Sequence, residues 1–190
     1  GRMFHQFFGE NMLRADVCNA VDELGQLLDH TGPVAASERN AARIFNCDHL
    51  FFVTNGTSTS NKIVWHSTVA PGDIVVVDRN CHKSILHAIM MTGALPVFLM
   101  PTRNHYGIIG PIPRSEFEPE TIRRKMAANP FIREILEKDP NVKPRVLTIT
   151  QSTYDGILYN VEEIKTLLDG EIETLHFDEA WLPHAAFHDF

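Results

Sequence analysis

The sequence predicts an α/β fold built on a mostly parallel sheet with helices on both faces, and three observations predict it. Stretches of helical apolar periodicity alternate with short β-rich runs, the order that builds a parallel sheet through crossover helices. The run Ile74-Val75-Val76-Val77 is β-branched without a break, as strands covered on both faces are. The strand-like runs also stop at small polar clusters, and open α/β sheets bind ligands beyond the carboxyl ends of their strands.

Taken in order, residues 16–28 read as an amphipathic helix, with Val17, Val21, Leu24 and Leu28 at helical spacing behind Asp16. His30-Thr31-Gly32-Pro33 ends it. Residues 37–45 give a second helix, capped by Ser37 and carrying Ala41, Ile44 and Phe45 on one side. Leu50-Phe51-Phe52-Val53 reads as a strand that turns at Gly56 into a helix over 60–68. Ala70-Pro71-Gly72-Asp73 turns the chain into the strand at 74–77, whose polar exit enters a helix over 85–92 closed by Gly93. A strand at 96–100 and a Gly/Pro-rich excursion through Pro113 follow. Helices over 118–128 and 131–138, a strand at 145–149, a helix over 161–168 and a strand at 174–177 complete the alternation.

Composition narrows the class. The 190 residues suit one domain with a substantial core, and 44% hydrophobic with 22% charged residues is normal for a globular protein in water. The net charge of −7 argues against a nucleic-acid surface; the one basic run, Arg123-Arg124-Lys125, falls on a predicted helix and reads as a solvated face. Cys18, Cys47 and Cys81 form neither a CxxC pair nor a disulfide framework, which predicts a reducing cytoplasm. No apolar run is long enough for a membrane span, and the first residues do not open a signal peptide. A start without an initiator Met and an end on Phe187-His188-Asp189-Phe190 suggest a piece of a longer polypeptide. Dinucleotide, P-loop, HExxH and GxSxG patterns are absent. His184 and His188 stand four apart, a spacing that shares one face of an α-helix, but the ten histidines are scattered and the expectation is no metal.

The strand exits carry the chemistry. Thr54-Asn55-Gly56-Thr57-Ser58-Thr59 places hydroxyls at a helix N-terminus, whose free N–H groups and partial positive charge collect anions. Gly56 removes the Cβ that would hold a ligand off the backbone. Two readings stand: a phosphate site at Thr57 and Ser58, or an ordinary helix cap, because Ser, Thr and Asn are also favoured caps. The second exit supplies an imidazole at His82, the third hydroxyls at Ser152 and Thr153, the last a carboxylate at Asp178 with Trp181 near it. Singly, a histidine ahead of a helix or an aspartate after a strand is a cap or a surface residue. Together they fit a flat, phosphorylated, basic heteroaromatic ring.

Four of these stretches resemble the pyridoxal phosphate domain of the bacterial lysine/arginine/ornithine decarboxylases, a family with the aspartate-aminotransferase-like fold. They are Thr54-Asn55-Gly56-Thr57-Ser58-Thr59, Asp78-Arg79-Asn80-Cys81-His82-Lys83-Ser84, Ser152-Thr153-Tyr154-Asp155-Gly156 and His176-Phe177-Asp178-Glu179-Ala180-Trp181. Glu23-Leu24-Gly25 and Leu28-Asp29-His30-Thr31-Gly32-Pro33 extend the likeness over essentially the whole chain. The resemblance implies the large domain of that fold, incomplete, with residues 1–48 as a helical lead-in and 49–190 as the cofactor-binding part. It implies pyridoxal 5'-phosphate, with Thr57 and Ser58 on the phosphate, His82 stacked on the ring and Asp178 paired with the ring nitrogen. Thr153 would meet the ring hydroxyl, Ala180 and Trp181 would line the remainder, and His82 and Asp178 would be the catalytic side chains. At ~4 Å and an effective dielectric near ~20, the Asp178 ion pair is worth about 4 kcal/mol.

The same resemblance implies decarboxylation of a basic amino acid to its amine, with proton uptake that ties the family to acid stress and polyamine supply. It implies a cytoplasmic homo-oligomer, a dimer or a larger ring of dimers, with no nucleic-acid or membrane partner. The family's Schiff-base lysine follows the aspartate strand in a Ser/Thr-x-His-Lys motif. None of Lys62, Lys83, Lys125, Lys138, Lys143 and Lys165 stands in that context, and His82-Lys83 matches only half of it. The full-length protein is expected to be a carbon–carbon lyase and this piece alone inactive. Two alternatives stay open: another pyridoxal phosphate enzyme of the same fold, or a non-catalytic fragment that serves assembly.

Overall fold

The structure, a computed structural model, describes residues 1–15 and 21–188. The chain separates into two compact units, Gly1–Phe52 and Val53–Phe190.

The first unit holds α1 (Arg2–Phe8), α2 (Glu10–Ala15), a 3-10 turn (Asp22–Leu24) and α3 (Gly32–Phe45). The sequence reading passes over α1 and α2, which bury no side chain. The helix expected over 16–28 is corrected where it can be seen: residues 16–20 lie outside the described residues, and from Val21 onward only the 3-10 turn forms. Gly25 stops it at a φ of +70°, and a Cβ there would stand 2.1 Å from the Thr31 carbonyl oxygen. A Cβ on Gly32 would in turn meet the Gly25 backbone at 2.9 Å, so two backbone segments cross where only glycines fit. α3 begins five residues ahead of the expected Ser37 cap. Pro33 sits in its first turn, where a missing N–H costs nothing. Asn46, left-handed at φ 52°, closes the helix by donating its N–H to Ala42 O.

Leu50-Phe51-Phe52-Val53 is not a strand. The Phe52 N–H donates to the Glu38 carboxylate (2.8 Å) rather than to a neighbouring strand. An apolar run supplies the side chains of a strand but not the partner that makes it one. Glu38, buried in α3, also faces His30 Nδ1 at 2.8 Å; the Phe52 N–H and, against burial, the histidine hold its carboxyl below the usual range.

The second unit is an α/β layer structure. Its elements are α4 (Thr57–Thr68), β1 (Ile74–Asp78), α5 (Lys83–Thr92), β2 (Leu95–Leu99), α6 (Pro119–Ala128), α7 (Pro130–Lys138), β3 (Val146–Thr150), α8 (Val161–Leu167) and β4 (Thr174–Asp178). The strands pair in parallel in the order β2-β1-β3-β4, as the β-branched runs predict. One face of the sheet packs Val76, Leu99, Leu147 and Ile149 against Ile122 and Met126 of α6, Ile132 of α7 and Ile164 of α8. The other packs Val75, Val77 and Val146 against Trp65 of α4 and Ile85 and Ala88 of α5. Each fully buried Val, Leu or Ile contributes roughly 1.5–3 kcal/mol. From β1 the chain crosses to β2 on one side and then to β3 on the other. That reversal opens a crevice between the carboxyl ends of β1 and β3, the position where open sheets bind ligands.

Candidate active site

Four segments meet at this crevice. The first is the start of α4. Gly56, at φ 74°, turns the chain into a helix that begins at Thr57, three residues ahead of the expected position. This puts Thr57 and Ser58 in the first turn, where backbone N–H groups have no intrahelical acceptor.

The second is the loop from β1 to α5. Asp78, 1% exposed, accepts the Asn80 N–H at 2.7 Å and holds the loop down; burial pushes its carboxyl above the usual range against that hydrogen bond. His82 is the N-cap of α5, its Nδ1 accepting the Ser84 N–H at 3.2 Å. Burial, reinforced by Asp78, pushes the Cys81 thiol up to about 12, so it stays protonated and is no nucleophile.

The third is the turn after β3. Thr153 N–H donates to Ile157 O and its Oγ1 accepts the Ile157 N–H, both at 3.2 Å. Beside it the buried Ser152 Oγ has no hydrogen-bond partner among the described residues. The fourth is the exit of β4. Asp178, 5% exposed, accepts the Asn61 side-chain N–H on Oδ2 at 2.9 Å and the Ala180 N–H on Oδ1 at 3.3 Å. Trp181 is exposed and meets Tyr154 edge-to-face at 5.1 Å.

All seven residues singled out from the sequence, Thr57, Ser58, His82, Thr153, Asp178, Ala180 and Trp181, line one cavity of about 610 Å³. That volume lies within the range of small-molecule sites. A helix N-terminus, an imidazole and a buried carboxylate on its walls offer an anion grip, a flat partner and a partner for a cationic nitrogen. The walls therefore fit a phosphorylated pyridine.

The cavity also has walls that the sequence reading left out of its site, among them Asn61, Asn80, Lys83 and Tyr154. Asn61 had a signal: Thr57, Asn61 and Trp65 recur every four residues and share one face of α4. Lys83 is the one lysine on the cavity wall. His184 lies in a 3-10 helix (Pro183–Phe187) with His188 beyond it, so their spacing of four does not give the shared α-helical face. Among the described residues no group of His, Cys, Asp and Glu has the makings of a metal centre.

Known proteins give this geometry its context. The sequence profile of the Orn/Lys/Arg decarboxylase major domain matches residues 1–190. The lysine decarboxylase LdcA of Pseudomonas aeruginosa is 60% identical over 190 residues, all of this chain and 25% of its own length. The solved structure of lysine decarboxylase A from the same species superposes with a TM-score of 0.89, covering 100% of this chain and 25% of that one. The biodegradative arginine decarboxylase of Escherichia coli K12 is 45% identical over 187 residues, 98% of this chain and 24% of its own length. An alanine aminotransferase from Pyrococcus furiosus, 14% identical with a TM-score of 0.50 over 86% of this chain and 37% of its own, shares the fold alone. The chain thus spans about a quarter of the length of the curated relatives it matches. It belongs to the ornithine/lysine/arginine decarboxylase family, as part of the major domain.

Proposed function

We propose that this chain is the cofactor-binding core of a pyridoxal 5'-phosphate-dependent enzyme that decarboxylates a basic amino acid (lysine, arginine or ornithine) to the corresponding amine. The observation that carries it is the meeting of Thr57, Ser58, His82 and a buried Asp178 around one cavity. Relatives named for lysine and arginine decarboxylation support the reaction class. When bound, pyridoxal 5'-phosphate supplies the electron sink that draws off the electron pair left by departing carbon dioxide.

The chain's own residues make that sink work. Thr57 and Ser58 hold the phosphate with hydroxyls and first-turn N–H groups. His82, on the cavity wall, would stack on the ring. Asp178 keeps a proton on the ring nitrogen, its charge little screened because it is buried. Thr153 would contact the ring hydroxyl, and Ala180 and Trp181 would line the remainder of the cavity. In the same reading residues 49–190 form the cofactor part and 1–48 lead into it. The whole protein works in the cytoplasm as a dimer or a ring of dimers, consuming a proton per turnover in acid stress and polyamine supply.

The lysine that carries the cofactor is none of the six in this chain. Lys125 is engaged by Glu116 and donates to Phe98 O, Lys165 pairs with Glu162, and Lys83 alone borders the cavity. The test is carbon dioxide release by the full-length protein from lysine, arginine and ornithine, with borohydride trapping of the cofactor and peptide mapping. We expect turnover of one of the three and an adduct on a lysine outside residues 1–190. No turnover of any of them sinks the reaction, and an adduct on Lys83 sinks the lysine assignment.

A further inference from the structure

One buried side chain touches both halves of this site. Asn61, 1% exposed in α4, has two side-chain N–H bonds and spends one on Asp178 Oδ2 at 2.9 Å and the other on Ser84 Oγ at 3.0 Å. The opposite amide orientation would set a carbonyl oxygen against the carboxylate, so the donors are fixed by their partners. Ser84, 2% exposed, stands 2.8 Å from His82 Nδ1 through its hydroxyl. Its Oγ accepts from Asn61, which leaves the hydroxyl proton for His82. The Ser84 backbone N–H points at the same Nδ1 from 3.2 Å. A ring nitrogen facing two donors must be bare, so the His82 proton sits on Nε2. Three hydrogen bonds thus run from carboxylate to imidazole with one proton arrangement.

We propose that Asn61 is a positioning residue that ties Asp178 to His82 through Ser84, so that the group at the ring nitrogen and the group at the ring face are set as one unit. The inference rests on the function proposed above. It adds a residue that orients both ring contacts and fixes the imidazole tautomer. Asn61 holds one Asp178 oxygen while the Ala180 N–H holds the other, so the carboxylate cannot rotate about its last bond. Buried polar chains of this kind are rigid when every member is satisfied and costly when one is removed.

The test uses the full-length protein with Asn61→Asp, Asn61→Leu and Ser84→Ala. Three quantities are measured: the pyridoxal 5'-phosphate dissociation constant, the circular dichroism of the bound cofactor's absorption band, and the melting temperature without cofactor. Asn61→Asp keeps the shape of the side chain and replaces a donor with an acceptor facing Asp178. It should weaken cofactor binding about ten- to a hundredfold and alter the dichroic band. Asn61→Leu should do the same by losing both donors. Ser84→Ala should alter the band with a smaller loss of affinity, and adding it to Asn61→Leu should cost nothing further, because the link is already broken. Wild-type affinity and dichroism in Asn61→Asp, or additive losses in the double variant, overturn the proposal. A change in melting temperature alone, with the band intact, reduces Asn61 to a packing residue and also overturns it. A wild-type protein that takes up no cofactor instead overturns the proposed function, and this inference with it.

Discussion

The two faces of the sheet are made by the same strands and do different work. β3 displays the split in five residues. Leu147 and Ile149 point into the apolar layer under α6, α7 and α8, whereas Thr148 alternates with them toward α4. On the first face the buried cluster is made of hydrophobic side chains alone. On the second, apolar packing holds for Val75, Val77 and Val146 and then gives way to hydrogen-bonded pairs near β4. Trp65 Nε1 donates to Thr148 Oγ1 at 3.1 Å, which lies 3.1 Å from His176 Nδ1. One turn earlier on α4, Asn61 reaches Asp178. The comparison teaches that burial alone does not mark a core. One face buys stability by excluding water, and the other uses the same exclusion to strengthen a few polar contacts.

Substitutions on the two faces should therefore fail in different ways. Asp178→Ala, on the polar side, should lower decarboxylation by the full-length protein by about 10²- to 10³-fold, with a smaller loss of stability, about 1–3 kcal/mol, from the Asn61 donor it leaves unpaired. Steady-state assays beside denaturant melts measure both. Leu147→Ala, on the apolar side, should do the reverse, costing about 2–5 kcal/mol of stability through the cavity it leaves. Any loss of cofactor affinity there should track the fraction unfolded. A Leu147→Ala protein that melts normally but binds cofactor poorly would erase the distinction.

Trp65→Phe sharpens the comparison, because it keeps the apolar bulk and deletes one N–H. Leaving the buried Thr148 hydroxyl short of this donor should cost about 1–2 kcal/mol, less than a core truncation, as read from chemical denaturation.

The smallest effect should appear as a pH slope. Burial holds the His176 imidazole below its ordinary value of 6.5, partly opposed by the Asp178 carboxylate. The unfolded chain binds a proton that the folded one refuses, so this stabilisation is fully present above pH 6.5 and lost as pH falls through the folded value. Asp78, held above its ordinary 3.8 by burial, runs the other way: its contribution is present below 3.8 and lost as pH rises through its folded value. The difference in stability between wild type and His176→Gln, followed downward from neutral pH, isolates the histidine. A difference that does not change with pH would remove His176 from the account.

Much of this architecture is legible in the chain because it is local. Four continuous β-rich runs, at 74–77, 96–100, 145–149 and 174–177, match β1 to β4 to within about a residue; β1, buried at every position, is the one that is covered along its whole length. The helix breakers read equally well, as at Gly93, left-handed at the end of α5. The run at 50–53 reads as a strand and is not one, because a strand is defined by a neighbour that lies elsewhere in the sequence. The helix expected at 16–28 gives way, in its described part, to a 3-10 turn. There Gly25 and Gly32 must let two backbones touch, a constraint that periodicity cannot express.

The sequence by itself determined the order of the elements, the parallel sheet and which side chains stand at the strand ends, because apolar pattern and turn chemistry act over a few residues. Only the tertiary structure decided that Asn61 faces Asp178, 117 residues away, and that Ser84 carries the link on to His82. An amide in a helix is silent about its partner until the sheet brings the carboxylate within hydrogen-bonding distance, where geometry replaces composition as the thing that chooses.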